Sequence, residues 1–332
     1  MLLNIAVKIT QVVLISFIIL GTIGNILDVF IFTRRTLSKS SCTLYLIAVS
    51  IDNIIVIYTS LLTWLLTNGY AIDVATISDV LCKVRYYFCY VSLALSPYFY
   101  VLACFDRYCS SSTSAARRSW CSKKIAKRLI LAAIILACVL YSHMAAFFEI
   151  VTIDDLVTCN ARLGPYNMFY RIFYTLVYCI LPSFCVGILC VLTLINVRQQ
   201  SRRVQSSLAV RQDGSHRLDH HLVRMLCLQI LTQIVCILPY AVFNLVVFFI
   251  ELNSTFFKFF DIIFILPLYA SYATSFYIFT LSSRVYRNEL FKIISWGKPD
   301  RNVTGITLKR FDTCNEIQAR MKGTLSTVPN EH

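Results

Sequence analysis

The stretch "ACFDRYCSS", Ala103 to Ser111, decides how the whole chain is read. An aspartate and an arginine stand side by side at the end of a long apolar run. From Leu93 to Phe105 the only polar side chains are Ser96 and the hydroxyls of Tyr98 and Tyr100. A soluble helix seldom needs so apolar a run, whereas a helix leaving a bilayer ends where charged side chains can reach water or an interior partner.

The composition agrees. Of 332 residues, 58% are hydrophobic and 14% charged, and the mean hydropathy is +0.68. Soluble domains are about 45–50% apolar and about 25% charged. A single core could not hide that excess, so an integral membrane protein is expected. The net charge of +14 falls mainly in the gaps between apolar runs, where it sets topology rather than binding nucleic acid. Most of the fourteen cysteines lie inside apolar runs and read as small hydrophobes. No Cys/His cluster has metal-ligand spacing.

About 20 mostly apolar residues cross a bilayer as a helix. Seven such runs are expected, at roughly 9–33, 43–67, 82–108, 129–148, 168–197, 222–248 and 258–281. The third, fifth, sixth and seventh contain Pro97, Pro182, Pro239 and Pro267. The first run is too long for a cleaved leader and reads as a retained span. The loops after the first, third and fifth spans are rich in bases, such as Arg34, Arg35, Arg117, Arg118, Arg202 and Arg203. The alternate loops hold Asp73, Asp79, Glu149, Asp154, Asp155 and Glu251 beside scattered bases. Positive-inside bias therefore predicts an outer amino terminus and an inner tail. The sequon at Asn253 then falls outside and is a candidate glycosylation site, whereas that at Asn302 lies in the tail and should stay bare. A transporter would show paired halves with several intramembrane charges. Here no halves pair, and only Asp28 and Asp52 lie well inside a span.

On this frame the chain resembles a rhodopsin-like G-protein-coupled receptor over essentially residues 9 to 296. Asp106-Arg107-Tyr108 closes the third span, with Arg107 25 residues after Cys82. "GTIGNILDVF" places Asn25 at the family's first-helix asparagine, and "LYLIAVSIDN" places Asp52 at its second-helix aspartate. "YCILP" and "CILP" supply Pro182 and Pro239 in the fifth and sixth helices. The resemblance implies an all-α membrane protein with seven transmembrane helices and a short amphipathic eighth helix. The expected parts are an outer terminus 1–8, a receptor domain 9–281, a helix 282–296 and a tail 297–332.

It further implies a disulfide between Cys82 and Cys159, and a resting-state contact between Arg107 and Asp219, 20 residues before Pro239. Asp106 is the nearer partner of Arg107, and the plainer reading of the pair is an interfacial anchor. Asp52, with Ser96, Ser271 and Ser275, is the implied site of an allosteric sodium ion; the plainer reading is a protonated aspartate bridged by water. Several family positions depart from pattern. The seventh-helix NPxxY reads Ser275-Phe276-Tyr277-Ile278-Phe279, the sixth-helix tryptophan is Ile237, and the fifth-helix tyrosine is Cys190. The fourth helix lacks its tryptophan.

The third-helix aspartate of amine receptors is Cys89 here, and the retinal-binding lysine of opsins is Tyr269. Neither ligand is supported. An acidic outer rim of Glu149, Asp154, Asp155 and Glu251, with Asp73 and Asp79, favours a cationic peptide; alternatively these acids are simply solvated. The chain is most similar to invertebrate FMRFamide-receptor-like and orphan peptide receptors, so a neuropeptide ligand is expected. The implied partners are a heterotrimeric G protein and, through hydroxyls of the tail, arrestin and a receptor kinase. The implied location is the plasma membrane. A seven-helix transporter or ion pathway is the alternative. No nucleophile–base pair or metal set points to an enzyme.

Overall fold

The computed structural model describes residues 2–153, 156–206, 214–249 and 254–295. Two compact units divide the chain, Met1–Glu289 and Leu290–His332. The first contains helices α1 (Leu2–Phe32), α2 (Cys42–Gly69), α3 (Asp79–Ser110), α4 (Lys123–Phe147), α5 (Pro165–Gln199) and α6 (Gly214–Phe249). These are followed by α7 (Ser254–Ala273) and α8 (Ser275–Ser282), and then α9 (Arg284–Ile294) crosses the boundary between the units. Helical structure begins at Leu2, so the described part of the expected terminus 1–8 continues the first span.

Among the described residues six helices are long and apolar enough to cross a membrane, and α7 with α8 forms a seventh, bent by 55°. The expected spans all appear; α1, α4 and α6 begin earlier than predicted, at Leu2, Lys123 and Gly214, and the other bounds lie within a few residues. Their outer faces are apolar because they meet lipid rather than water. Val12 is 69% exposed, Val139 65% and Leu281 80%. Ser78 and Ser122 fix where α3 and α4 start, each accepting a hydrogen bond from an amide three residues on (Leu81 at 3.2 Å, Ile125 at 3.3 Å). Ahead of Pro182, which cannot donate to the carbonyl four residues back, α5 widens into a π turn over Tyr174–Ile180. Large rings fill the interior: Tyr45, Tyr141, Tyr178, Tyr272 and Tyr286 are all fully buried.

One element departs from the all-α expectation. The residues after α4 form an antiparallel hairpin, β1 (Phe148–Ile153) and β2 (Leu156–Ala161), with Ile150 opposite Cys159. The strands "FEIVTI" and "LVTCNA" are rich in β-branched residues, which suit extended backbone. Cys159 is bonded to Cys82 in the first turns of α3, with a Cα–Cα distance of 5.7 Å. A two-stranded hairpin is marginal alone; here a covalent tie and the contact of Phe148 with Tyr86, ring centroids 4.8 Å apart, hold it to the bundle.

Cys159→Ser should therefore free the hairpin and cost about 2–5 kcal/mol, the usual loss for a native bridge. A reduced surface level and a lower unfolding midpoint are the expected outcome. Peptide mapping that finds both thiols free in surface protein would remove the basis for this claim.

Candidate functional site

At one end of the bundle α3 delivers Asp106 and Arg107. The Arg107 guanidinium donates to Asp106 Oδ2 at 2.5 Å and to Ser40 Oγ at 2.9 Å. The other carboxylate oxygen accepts from Ser41 Oγ at 2.6 Å. Both charged side chains are buried, with 4% and 1% of their area exposed. An interfacial anchor, the plainer reading of the pair, would keep its head in water, whereas these side chains are withdrawn from it. Buried charges persist only when paired and hydrogen-bonded, and the turn before α2 supplies the two serines that complete the set. Sequence reasoning did not find Ser40 and Ser41, because they belong to a loop 65 residues away.

Tyr108 turns aside. Its hydroxyl accepts from Arg117 at 3.1 Å, and the Arg117 guanidinium lies over its ring. Asn196 of α5 donates to Ser111 Oγ at 3.2 Å, joining α5 to the end of α3. The side chain of Asp219, the expected second partner of Arg107, lies outside the described residues.

Midway along the bundle begins a continuous polar chain that links α3, α2, α1, α7, α8 and α9. Ser96 Oγ donates to Asn53 Oδ1 at 2.7 Å, and Asn53 Nδ2 to Asn25 Oδ1 at 2.9 Å. The Asn25 amide nitrogen donates to the Tyr272 carbonyl at 3.0 Å. Ser275 Oγ reaches both Asn25 Oδ1 at 3.1 Å and Asp28 Oδ2 at 3.0 Å. The Tyr286 hydroxyl then donates to Asp28 Oδ1. Burial first, and then Asp28, push the Tyr286 phenol above its ordinary value, so it stays protonated and remains a donor.

This network includes two of the serines expected at a sodium site. The hydroxyls of Ser96 and Ser275 are bound to Asn53, Asn25 and Asp28, and that of Ser271 donates to the Leu268 carbonyl at 2.6 Å. Asp52 Oδ2 is buried without a hydrogen-bond partner, which suits a cation. Asn53 accepts the proton of Ser96, and Asn25 and Asp28 are the acceptors of Ser275. The signal for Asp28 was present in the sequence, as a carboxylate one turn after Asn25. Its partner Tyr286 stands 258 residues away, beyond any local pattern.

At the opposite end the described rim acids are partly neutralised. Glu149 pairs with Arg162 at 2.9 Å, and Asp73 with Arg85. Asp79 accepts from the Ile150 amide at 3.4 Å. Asp154, Asp155, Glu251 and Asn253 lie outside the described residues. Beneath the hairpin stands a cluster of tyrosines that sequence reasoning did not single out. Tyr90 is hydrogen-bonded to Tyr170, and Tyr178 to Tyr272 at 2.7 Å. Tyr174 stacks on Tyr178 with ring centroids 4.8 Å apart.

Asn25 is the hub of the polar chain, so Asn25→Ala strands several buried groups at once. Each unsatisfied partner costs about 1–3 kcal/mol. The unfolding midpoint in detergent should fall clearly, and further than for Ser96→Ala at the end of the chain. Equal midpoints for the two variants would contradict this ranking.

The comparisons with known proteins bear on the same geometry. A family model described as "7 transmembrane receptor (rhodopsin family)" matches residues 24–277, which include the polar chain from Asn25 to Ser275, the Asp106–Arg107 pair and the bridged cysteines. No curated protein matches the chain. The family is one of receptors rather than enzymes, coupling an extracellular ligand to a G protein from a multi-pass membrane position. With its seventh span bent and its third ending in a buried Asp–Arg pair, the chain belongs to the rhodopsin family of seven-transmembrane receptors.

Proposed function

We propose that this receptor lies in the plasma membrane with its amino terminus outside, binds a positively charged peptide, and signals through a heterotrimeric G protein. The observation that carries the signalling half is the buried pair of Asp106 and Arg107. A cation held inside one end of a helix bundle is a switch element: released, it would present charge and hydrogen-bond donors to a partner. The orientation follows from the bases that cluster at this same end, Arg34, Arg35, Lys39, Arg117, Arg118, Lys123 and Lys124. Under this topology the tail 297–332 would face the cytoplasm, where its hydroxyls would serve a receptor kinase and then arrestin.

The peptide half rests on the hairpin. Its turn carries Asp154 and Asp155 with no base between Glu149 and Cys159, while Glu149 and Asp73 are already committed to arginines. By sequence, Asp154, Asp155 and Glu251 remain, with Asp79, as the acids proposed to attract a cationic ligand. A neuropeptide of the FMRFamide-like kind, with a basic residue, fits that charge. Without paired halves or a charged pathway, a transporter gains no support.

Asp219→Ala should raise ligand-independent second-messenger output, normalised to surface level, because it removes one resting partner of Arg107. A loss of about 1.4 kcal/mol raises a small active population about tenfold. Arg107→Ala should lose coupling. Unchanged output in the first and intact coupling in the second would reduce the pair to packing.

Exchanging Asp154 and Asp155 for Asn should slow association of a basic peptide and flatten its salt dependence. Activation by neutral lipids alone would overturn the peptide reading while leaving the G-protein reading intact.

A further inference from the structure

The seventh span bends by 55° at Thr274, and the residue after Ser275 is Phe276 rather than a proline. Sharp kinks need a cause, either a proline or a side chain entering the backbone ladder. Here the cause lies in the side chains of other helices. In a continuous helix the carbonyls of Ser271 and Tyr272 would pair with the amides of Ser275 and Phe276. Those carbonyls accept from Gln229 Nε2 at 3.5 Å and Asn25 Nδ2 at 3.0 Å. Thr274 also turns its hydroxyl back onto the Ala270 carbonyl at 2.8 Å.

One stripe of α1 presses on this break. Positions 21, 24, 25 and 28 lie on a single helical face. A Cβ at Gly24 would stand 2.9 Å from Phe276 Cβ, and one at Gly21 3.0 Å from Ala273 Cβ, so only glycine permits the approach. Just beyond, Asp28 is fully buried, accepting from Ser275 on one oxygen and Tyr286 on the other. The Tyr286 ring is seated edge-on against Phe32, with centroids 5.6 Å apart. Glu289 adds an outer tie, accepting from Thr36 at 3.0 Å and facing Arg34 at 3.6 Å.

We infer that Asp28 and Tyr286 form a latch that holds the bent seventh span and the start of α9 in the present conformer, and that opening this latch favours signalling. The inference rests on the G-protein reading given above. A carboxylate in the interior is costly without donors, so the contact has two discrete states, seated and open, rather than a continuum. In the seated conformer Arg107 is withdrawn onto Asp106 and Ser40, 4% exposed, where a partner cannot use it. A contact made in that conformer and lost in another biases the equilibrium by its differential strength. Removing it must raise the population in which Arg107 is available.

Tyr286→Phe deletes the hydroxyl alone, and Asp28→Asn keeps the shape of its site. Each should raise basal nucleotide exchange on a panel of purified G proteins about fivefold, the low end of usual coupling effects. The double variant should do no more than the stronger single, because both remove one contact. Hydrogen exchange over residues 274–289 should quicken in parallel. If Asp28→Asn does not reach the surface, Asp28→Leu with Tyr286→Phe replaces the polar pair by apolar groups and is read in the same way. Faster hydrogen exchange with basal output equal to wild type, in membranes where Asp219→Ala does signal, would overturn the latch as a switch. Additive singles would overturn it as one contact. If no variant drives any G protein, the receptor-coupling reading fails instead, and the latch stands or falls on hydrogen exchange alone: quickened supports it, unchanged overturns it.

Discussion

A bilayer offers no water to a broken helix, so any backbone group freed at a kink must find a protein partner. That constraint organises the middle of this molecule. The seventh span is interrupted at Thr274, and the polar atoms around the interruption are met by side chains from α1 and α6. Asn25 does most of this. It donates to the Tyr272 carbonyl and accepts from both Asn53 and Ser275. One side chain thereby fixes the mutual placement of the first, second and seventh spans, and through Ser96 of the third. The buried tyrosines and phenylalanines pack around a frame already set by these bonds.

The two ends of the bundle solve different problems. At the hairpin end a small β unit too weak to stand alone is tied to α3 by a covalent bond and a stacked ring. The same helix ends, 25 residues after Cys82, in a charged pair that is hidden rather than displayed. α3 thus connects the face that carries the hairpin turn to the face that carries Arg107. Its Pro97 and Ser96 lie midway, where the polar chain joins. A disturbance at the hairpin has a rigid route to the pair through one element.

Much of this was legible in the sequence. Apolar runs of bilayer length gave all seven spans, because in lipid length and hydrophobicity decide almost everything. The Asp106–Arg107 pair stood out through its position after a run with so few polar side chains. Three features escaped. The hairpin was hidden inside a stretch between two spans, where a short apolar run carries no helical period. The acceptors of Ser96 and Ser275, Asn53 and Asp28, were not anticipated by family spacing. Tyr286 could not be connected with Asp28 at all, since 258 residues separate them and only the fold brings them together.

The altered seventh span shows how the same shape can rest on different physics. A proline at a kink acts through covalent geometry; its missing N–H and its ring enforce a break in every state of the protein. Here the break is sustained by hydrogen bonds from Asn25 and Gln229, by glycine contacts at Gly21 and Gly24, and by the seated Tyr286. Those are conditional. They persist while α1, α6 and α8 keep their places and lapse together if one moves. Loss of the covalent element therefore need not cost the bend, but it shifts control of the bend from the residue that carries it to the helices around it. In such an arrangement the first helix, usually the least engaged wall of a bundle, becomes a determinant of what the seventh can do.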